Sequence, residues 1–128
     1  MTGLSPLACS PYGGDSDRME KISLTRLAAD EALAARDASS GRGGHTVFGN
    51  HATSLRQTVL ALGKGQMLHE HNSPGEATVQ VLSGRVRLAS ADETCDGDTG
   101  DLLIIPDARH SLEALEDSVV LLTVAMRR

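Results

Sequence analysis

The chain has 128 residues, of which 40% are apolar and 2% aromatic, and its formal net charge is −5. This length suits one domain with a single core, which valine, leucine and isoleucine must fill because aromatic side chains are so scarce. The negative charge and the lack of rings for base stacking argue against nucleic-acid binding, and no run approaches the roughly 20 apolar residues of a membrane span.

Residues 1–18 are rich in glycine, serine, proline and aspartate and carry few large apolar groups. Such a segment cannot bury enough surface to offset its ordering entropy, so it is predicted to be a disordered tail. It also lacks the basic and apolar regions of a signal peptide, which favours a cytoplasmic protein. Cys9 in this tail and Cys95 lie far apart in sequence, so free thiols are expected rather than a disulfide.

The first structured element is predicted to be a helix over 24–37. This segment is rich in strong helix formers, and Ser23 can serve as its N-cap. Glycines and serines in 38–44 then predict a flexible connection. Residues 19–44 are therefore interpreted as a helical arm and linker in front of the main domain.

From residue 45 to 128 the chain alternates short strand-like runs with turn residues, the pattern of an antiparallel barrel or sandwich, and no helix is expected. The run Val119–Val124 is apolar at nearly every position, so both faces of that strand should be covered, one of them by the arm helix or by a second subunit. The predicted strands are 45–49, 54–62, 65–71, 77–83, 85–90, 93–96, 101–105, 109–115 and 118–126.

Three histidines stand out as candidate metal ligands. His69 and His71 are two residues apart on a predicted strand, so their side chains should share a face. His110 follows another apolar strand, and three imidazoles would form an open site for a divalent transition metal. The alternative is that His69 and His71 are polar residues at a barrel mouth and that His110 is a hydrogen-bonded turn histidine.

Gly63, Gly84, Gly100 and Pro106 accompany these histidines in the sequence. Their order and spacing resemble the two sequence motifs of single-domain cupins, a family of small metal-binding jelly-roll barrels. The second motif has one residue fewer than usual between its proline and its histidine, Ala108 lies near the usual glycine, and Ala114 occupies the place of the usual asparagine. The resemblance implies an all-β, cupin-like jelly-roll β-barrel, preceded here by the short N-terminal helix and the disordered tail. The matching positions are Gly63, His69, His71, Glu76 and Gly84 in the first motif and Gly100, Pro106 and His110 in the second.

Glu76 is the fourth metal ligand that the resemblance implies, and the spacing around it is ambiguous. Counting forward from His71 places Glu76 at the family's carboxylate position, whereas counting back from Gly84 places Ala77 there. Since a shift of one residue moves a side chain to the opposite face of a strand, both counts hold only if a bulge lies between them. A site of three histidines completed by water is the alternative.

The resemblance implies a divalent transition metal ion as cofactor, with Fe, Mn, Ni, Co, Cu and Zn all compatible with such donors. It implies a site and not a reaction, because cupins include dioxygenases, isomerases and cyclases. A metal-dependent enzyme acting on a small organic substrate is one hypothesis, and a non-catalytic module that binds or senses a small ligand is another. The third is a dimerisation platform with residual histidines. A homodimer is expected because small β folds commonly bury their edges against a partner.

Overall fold

The computed structural model describes residues 19–71 and 75–126, with the backbone alone at Glu70 and His71. The predicted tail over 1–18 lies outside these ranges. Within them, one helix precedes nine strands. The elements are α1 Leu24–Asp37, β1 Arg42–Phe48, β2 Leu55–Leu62, β3 Met67–His71, β4 Gly75–Ser83, β5 Arg85–Ser90, β6 Thr94–Asp98, β7 Leu102–Ile104, β8 His110–Ala114 and β9 Ser118–Met126.

The strands form two antiparallel sheets, one of five strands in the order β1-β2-β9-β4-β7 and one of four in the order β3-β8-β5-β6. A hydrophobic core lies between the sheets and is built from aliphatic side chains, as the scarcity of aromatic residues predicts. The predicted all-β jelly-roll barrel with a short N-terminal helix is thus confirmed. The buried members of this core are Leu62, Val79, Val81, Val86, Leu88, Leu103, Leu112, Ala114 and Val120.

Helix α1 covers the outer face of the five-stranded sheet. It begins and ends where the sequence predicts, and its N-cap Ser23 accepts a hydrogen bond from the backbone N–H of Arg26 at 3.2 Å. Ala28 and Ala35 are its buried residues, and they pack in a second apolar cluster that includes Val119 of β9. The small alanines let the helix lie close to the sheet, and the predicted cover on the second face of β9 is therefore the arm helix.

Strand β1 begins at Arg42, inside the segment that the sequence predicts to be a linker. Gly43 explains the difference, because a Cβ atom there would lie 2.9 Å from the Glu31 carboxylate and 3.1 Å from the Glu31 carbonyl oxygen. A glycine at this position allows the strand to pass directly against α1. The prediction of a flexible connection is therefore wrong at Gly43, where the glycine allows β1 to pack closely against α1.

Strands β5 and β6 are joined by cross-strand ion pairs on their solvent side. The Arg87 guanidinium donates two hydrogen bonds to the Asp96 carboxylate, at 2.7 and 3.0 Å, and Arg85 lies 3.4 Å from Asp98. The hydrogen bonds from Arg87 lower the pKa of Asp96, and the same contact raises the pKa of Arg87.

Gly84 and Gly100, two glycines of the motif resemblance, both have a φ of +95° but differ in their surroundings. A Cβ at Gly84 would clash with the Ser118 hydroxyl and lie 2.5 Å from the Asp117 carbonyl oxygen, whereas one at Gly100 meets no atom within 4 Å. We expect Gly100→Ala to lower the free energy of unfolding by about 1–2 kcal/mol through backbone strain alone. Gly84→Ala should cost at least about twice as much, because the added methyl must also displace β9. Urea denaturation of both variants tests this, and equal losses would contradict the close approach of β9.

The Arg87–Asp96 pair generates a second prediction, on pH dependence. Because the folded-state pKa of Asp96 is lowered, the pair stabilises the protein above the ordinary aspartate pKa of about 3.9, and this contribution is lost as the pH falls through the lowered value. The stability difference between wild type and Arg87→Gln should therefore be constant near neutral pH and vanish in acid. Carboxyl NMR titration should show a higher Asp96 pKa in the variant, and an unchanged value would contradict the assignment.

Candidate functional site

His110, the first residue of β8, is a buried histidine with a defined ring orientation. Its relative exposure is 4%, and its Nδ1 lies 2.9 Å from the backbone carbonyl oxygen of Ala108. Because a carbonyl oxygen only accepts, Nδ1 must carry the proton, and in the neutral ring Nε2 then carries the lone pair. A backbone carbonyl that fixes the tautomer in this way is the usual second contact of a metal-ligating histidine.

The ring of His110 lines a small cavity of about 30 Å³ between the two sheets. Since one water needs roughly 10–15 Å³ by this measure, the cavity can hold a water or two, and a larger molecule must extend beyond it. Apart from His110, every residue that lines the cavity is aliphatic, so the histidine supplies the polar side chain of the lining. The aliphatic residues are Leu60, Leu68, Val79, Leu88, Ile105, Leu112, Val120 and Leu122.

Strand β3 carries the other two predicted histidines, and its pairing with β8 is irregular. Leu68 pairs with Leu112 and His71 pairs with His110, so three steps along β3 match only two along β8. This register shift interrupts the regular alternation on which the prediction of a shared face for His69 and His71 depends.

The side chain of His69 is exposed, and that of His71 lies outside the described residues. What the pairing does establish is that the backbone of His71 lies directly opposite the backbone of His110. In the part of the chain with described side chains, no group of three or more His, Cys, Asp or Glu residues is arranged to hold a metal ion. The predicted three-histidine set therefore stays a prediction.

Glu76 lies on β4 with an exposed side chain, between Gly75 and Ala77, both of which are buried. Val79, which has the same parity as Ala77, lines the cavity. Glu76 thus points to the outer side of the five-stranded sheet, and the structure does not bring its carboxylate together with His110. Of the two counts that the sequence allows, the one from Gly84, which selects Ala77, matches the residue on the inner face.

Arg56 is an inward-facing residue that the sequence reasoning did not single out. It lies four residues before Leu60 on β2, and the regular pairing of β2 with β9 gives the two residues the same face of the sheet. Its Nε is buried and has no hydrogen-bond partner among the described residues. The signal in the sequence was its parity with Leu60 and Leu62 in a predicted strand, which puts a cation on the face that carries these leucines.

Two searches of known proteins find no relative of the chain. No protein-family model matches it. No curated protein matches it either. Within residues 19–71 and 75–126, no helical segment combines the length and apolarity needed to traverse a bilayer.

Solved structures do resemble the chain. A conserved protein of unknown function from Streptococcus pyogenes is 30% identical, with a TM-score of 0.64, over 71% of this chain and 79% of its own. An RmlC-like cupin from Desulfovibrio desulfuricans is 24% identical, with a TM-score of 0.57, over 66% and 81%. A cupin superfamily protein from Desulfitobacterium hafniense has the same fold at 14% identity, with a TM-score of 0.62 over 67% and 78%.

These similarities cover most of the length of each of the three proteins. The motif resemblance and the tertiary fold agree on a cupin barrel. The chain has the fold of the single-domain cupins.

Proposed function

We propose that this cupin-fold protein binds a divalent transition metal ion at the end of its barrel where β8 begins, and that a small organic molecule binds beside the ion. The observation that carries the proposal is the state of His110. Its ring is buried, and the bond from Nδ1 to the Ala108 carbonyl leaves the lone pair on Nε2, which is the form that a metal requires.

His71 is the second ligand of the proposal. Its backbone pairs with that of His110, and residues directly opposite in an antiparallel pair are near neighbours. His69 is the third; its side chain is exposed, and the register shift that follows Leu68 breaks the alternation and allows the imidazole to turn toward the open end of the barrel. Glu76 is left out of the set because its exposed side chain lies on the outer face of β4. Water completes the site instead.

When bound, such an ion would polarise an oxygen atom of the small molecule. The protein's own contribution is the aliphatic wall around His110, which excludes water and gives the apolar part of a ligand a surface to contact. Because the enclosed space is only about 30 Å³, the ligand should sit over the cavity at the open end of the barrel and not inside it.

The proposed ligand set predicts the metal content of histidine variants. Untagged wild-type protein loaded with Fe, Mn, Ni, Co, Cu or Zn should retain about one ion per chain, as expected of a three-histidine site, for at least one of these metals. His71→Ala and His110→Ala should each lose that ion, while His51→Ala, which removes an exposed histidine from a loop, should keep it. Mass spectrometry of the metal content gives the readout.

Because His110 is buried, its variant needs a check on folding. His110→Asn keeps a polar side chain of smaller size, and circular dichroism of both variants shows whether the barrel is intact. Retention of a full equivalent of metal in folded His71→Ala and His110→Ala would refute the site.

Chelation should also lower the thermal stability of the wild type. An ion that binds only the folded state stabilises it by about 2.7 kcal/mol when its free concentration is 100 times its dissociation constant. Melting curves with and without chelator should therefore differ for wild type and His51→Ala, and coincide for His71→Ala. A melting temperature of the wild type that does not change, with removal of the ion confirmed, would show that no ion contributes to folding.

The same site would serve a reaction of the dioxygenase, isomerase or cyclase type as well as binding. Oxygen uptake by iron-loaded protein with small phenols or diketones would identify a dioxygenase. Saturable binding of these compounds without turnover would identify a binding module.

A further inference from the structure

Arg56 differs from the other strand arginines in having no partner for its charge among the described residues. Arg85 and Arg87 each face an aspartate on β6, and Arg42 donates to the Gln66 amide oxygen at 3.0 Å and to the Met67 carbonyl at 2.6 Å. Arg56 has no such contact within the described part of the chain, and its Nε is buried.

A buried donor without an acceptor is unfavourable, and more so when it belongs to a cation. The Nε–H of Arg56 has given up its water, and the described residues beside it on the inner face, Thr58, Val124 and Ala77, include no carboxylate. No described residue therefore compensates the desolvation of this donor. Such a penalty is offset when an anion binds.

The strand pairing places Arg56 at the same end of the barrel as His110. Arg56 pairs with Val124 of β9, and Val124 pairs with Ala77 of β4. The Ala77 carbonyl accepts a hydrogen bond from the backbone N–H of Ile105 at 3.1 Å, and Ile105 lines the cavity beside His110. One row of residues across the five-stranded sheet thus connects the guanidinium to the wall of the cavity.

We propose that Arg56 binds the carboxylate of a small organic acid, the rest of which extends toward His110; this inference deepens the small-molecule binding proposed above. A guanidinium presents donors in a planar fork that matches a carboxylate, and the bond is charge-assisted on both sides. The unpartnered Nε supplies one of these donors. The proposed substrate class is therefore an organic acid with a small apolar body.

The test measures the binding of malonate and pyruvate to the full chain by calorimetry, at constant ionic strength, with malonamide and pyruvamide as uncharged controls. It is carried out on protein dialysed free of metal and chelator, since both acids could otherwise bind through an ion. At least one acid should bind and neither amide should. Arg56→Gln should weaken that binding about tenfold or more, the loss expected for a charged hydrogen bond.

Arg26→Gln is the matched control, because it removes the same charge from an exposed position on α1 and should leave the affinity unchanged. Failure of both acids to bind the wild type, or equal affinity in Arg56→Gln, would overturn the inference. Inorganic phosphate serves as a further probe, and tighter Arg56-dependent binding of phosphate than of either acid would overturn the assignment to a carboxylate.

Arg56→Met separates a binding role from a structural one. It removes the unpartnered donor while keeping an unbranched side chain, so without ligand it should melt at the same temperature as wild type or higher, yet fail to bind the acid. Melting below wild type in both Arg56 variants would show that Arg56 serves the fold and would overturn the inference. Metal content is measured on separate metal-loaded samples of the same variants, so loss of the proposed metal site and loss of the carboxylate site are distinguished.

Discussion

Strand β9 buries both of its faces, and most of the structure depends on this constraint. Val120 packs into the core between the sheets, while Val119 and Leu121 pack against the helix side. A slip of one residue would exchange these two sets, so the two-sided burial fixes the register of β9 against β2 and β4. That register in turn places Arg56 and Ala77 on the inner face and Glu76 on the outer one.

The end of the barrel where β8 begins differs from the rest of the interior because polar groups reach it. The core is aliphatic up to the row that includes Leu68, Leu88 and Leu112, and His110 follows immediately. An imidazole with a fixed tautomer and an inward-facing guanidinium are then found at one end of the barrel. The proposed binding site rests on this concentration of polar groups at one end.

Much of the fold could be predicted from local sequence. The limits of α1 and β9 follow from an N-cap serine and from an apolar run bounded by Asp117. The start of β1 could not be predicted, because Gly43 meets a helix residue twelve positions earlier in the chain, and no local pattern reveals that contact. The site was predictable in part. The candidacy of His110 could be predicted from its place after a strand. The faces on which His69, His71 and Glu76 lie could not, because they depend on irregular strand pairing.

The sequence by itself determined the residue types, their order and the alternation within each strand, and these were enough to indicate a cupin barrel with a histidine-bearing end. Only the tertiary structure decided which face each alternation presents. The physical reason is that a strand has two equivalent faces until it pairs, and a single register shift, such as the one between Leu68 and His71, exchanges them. Pairing across the sheets therefore decided that Ala77 lies inside the barrel, that Glu76 lies outside it, and that Arg56 faces its interior.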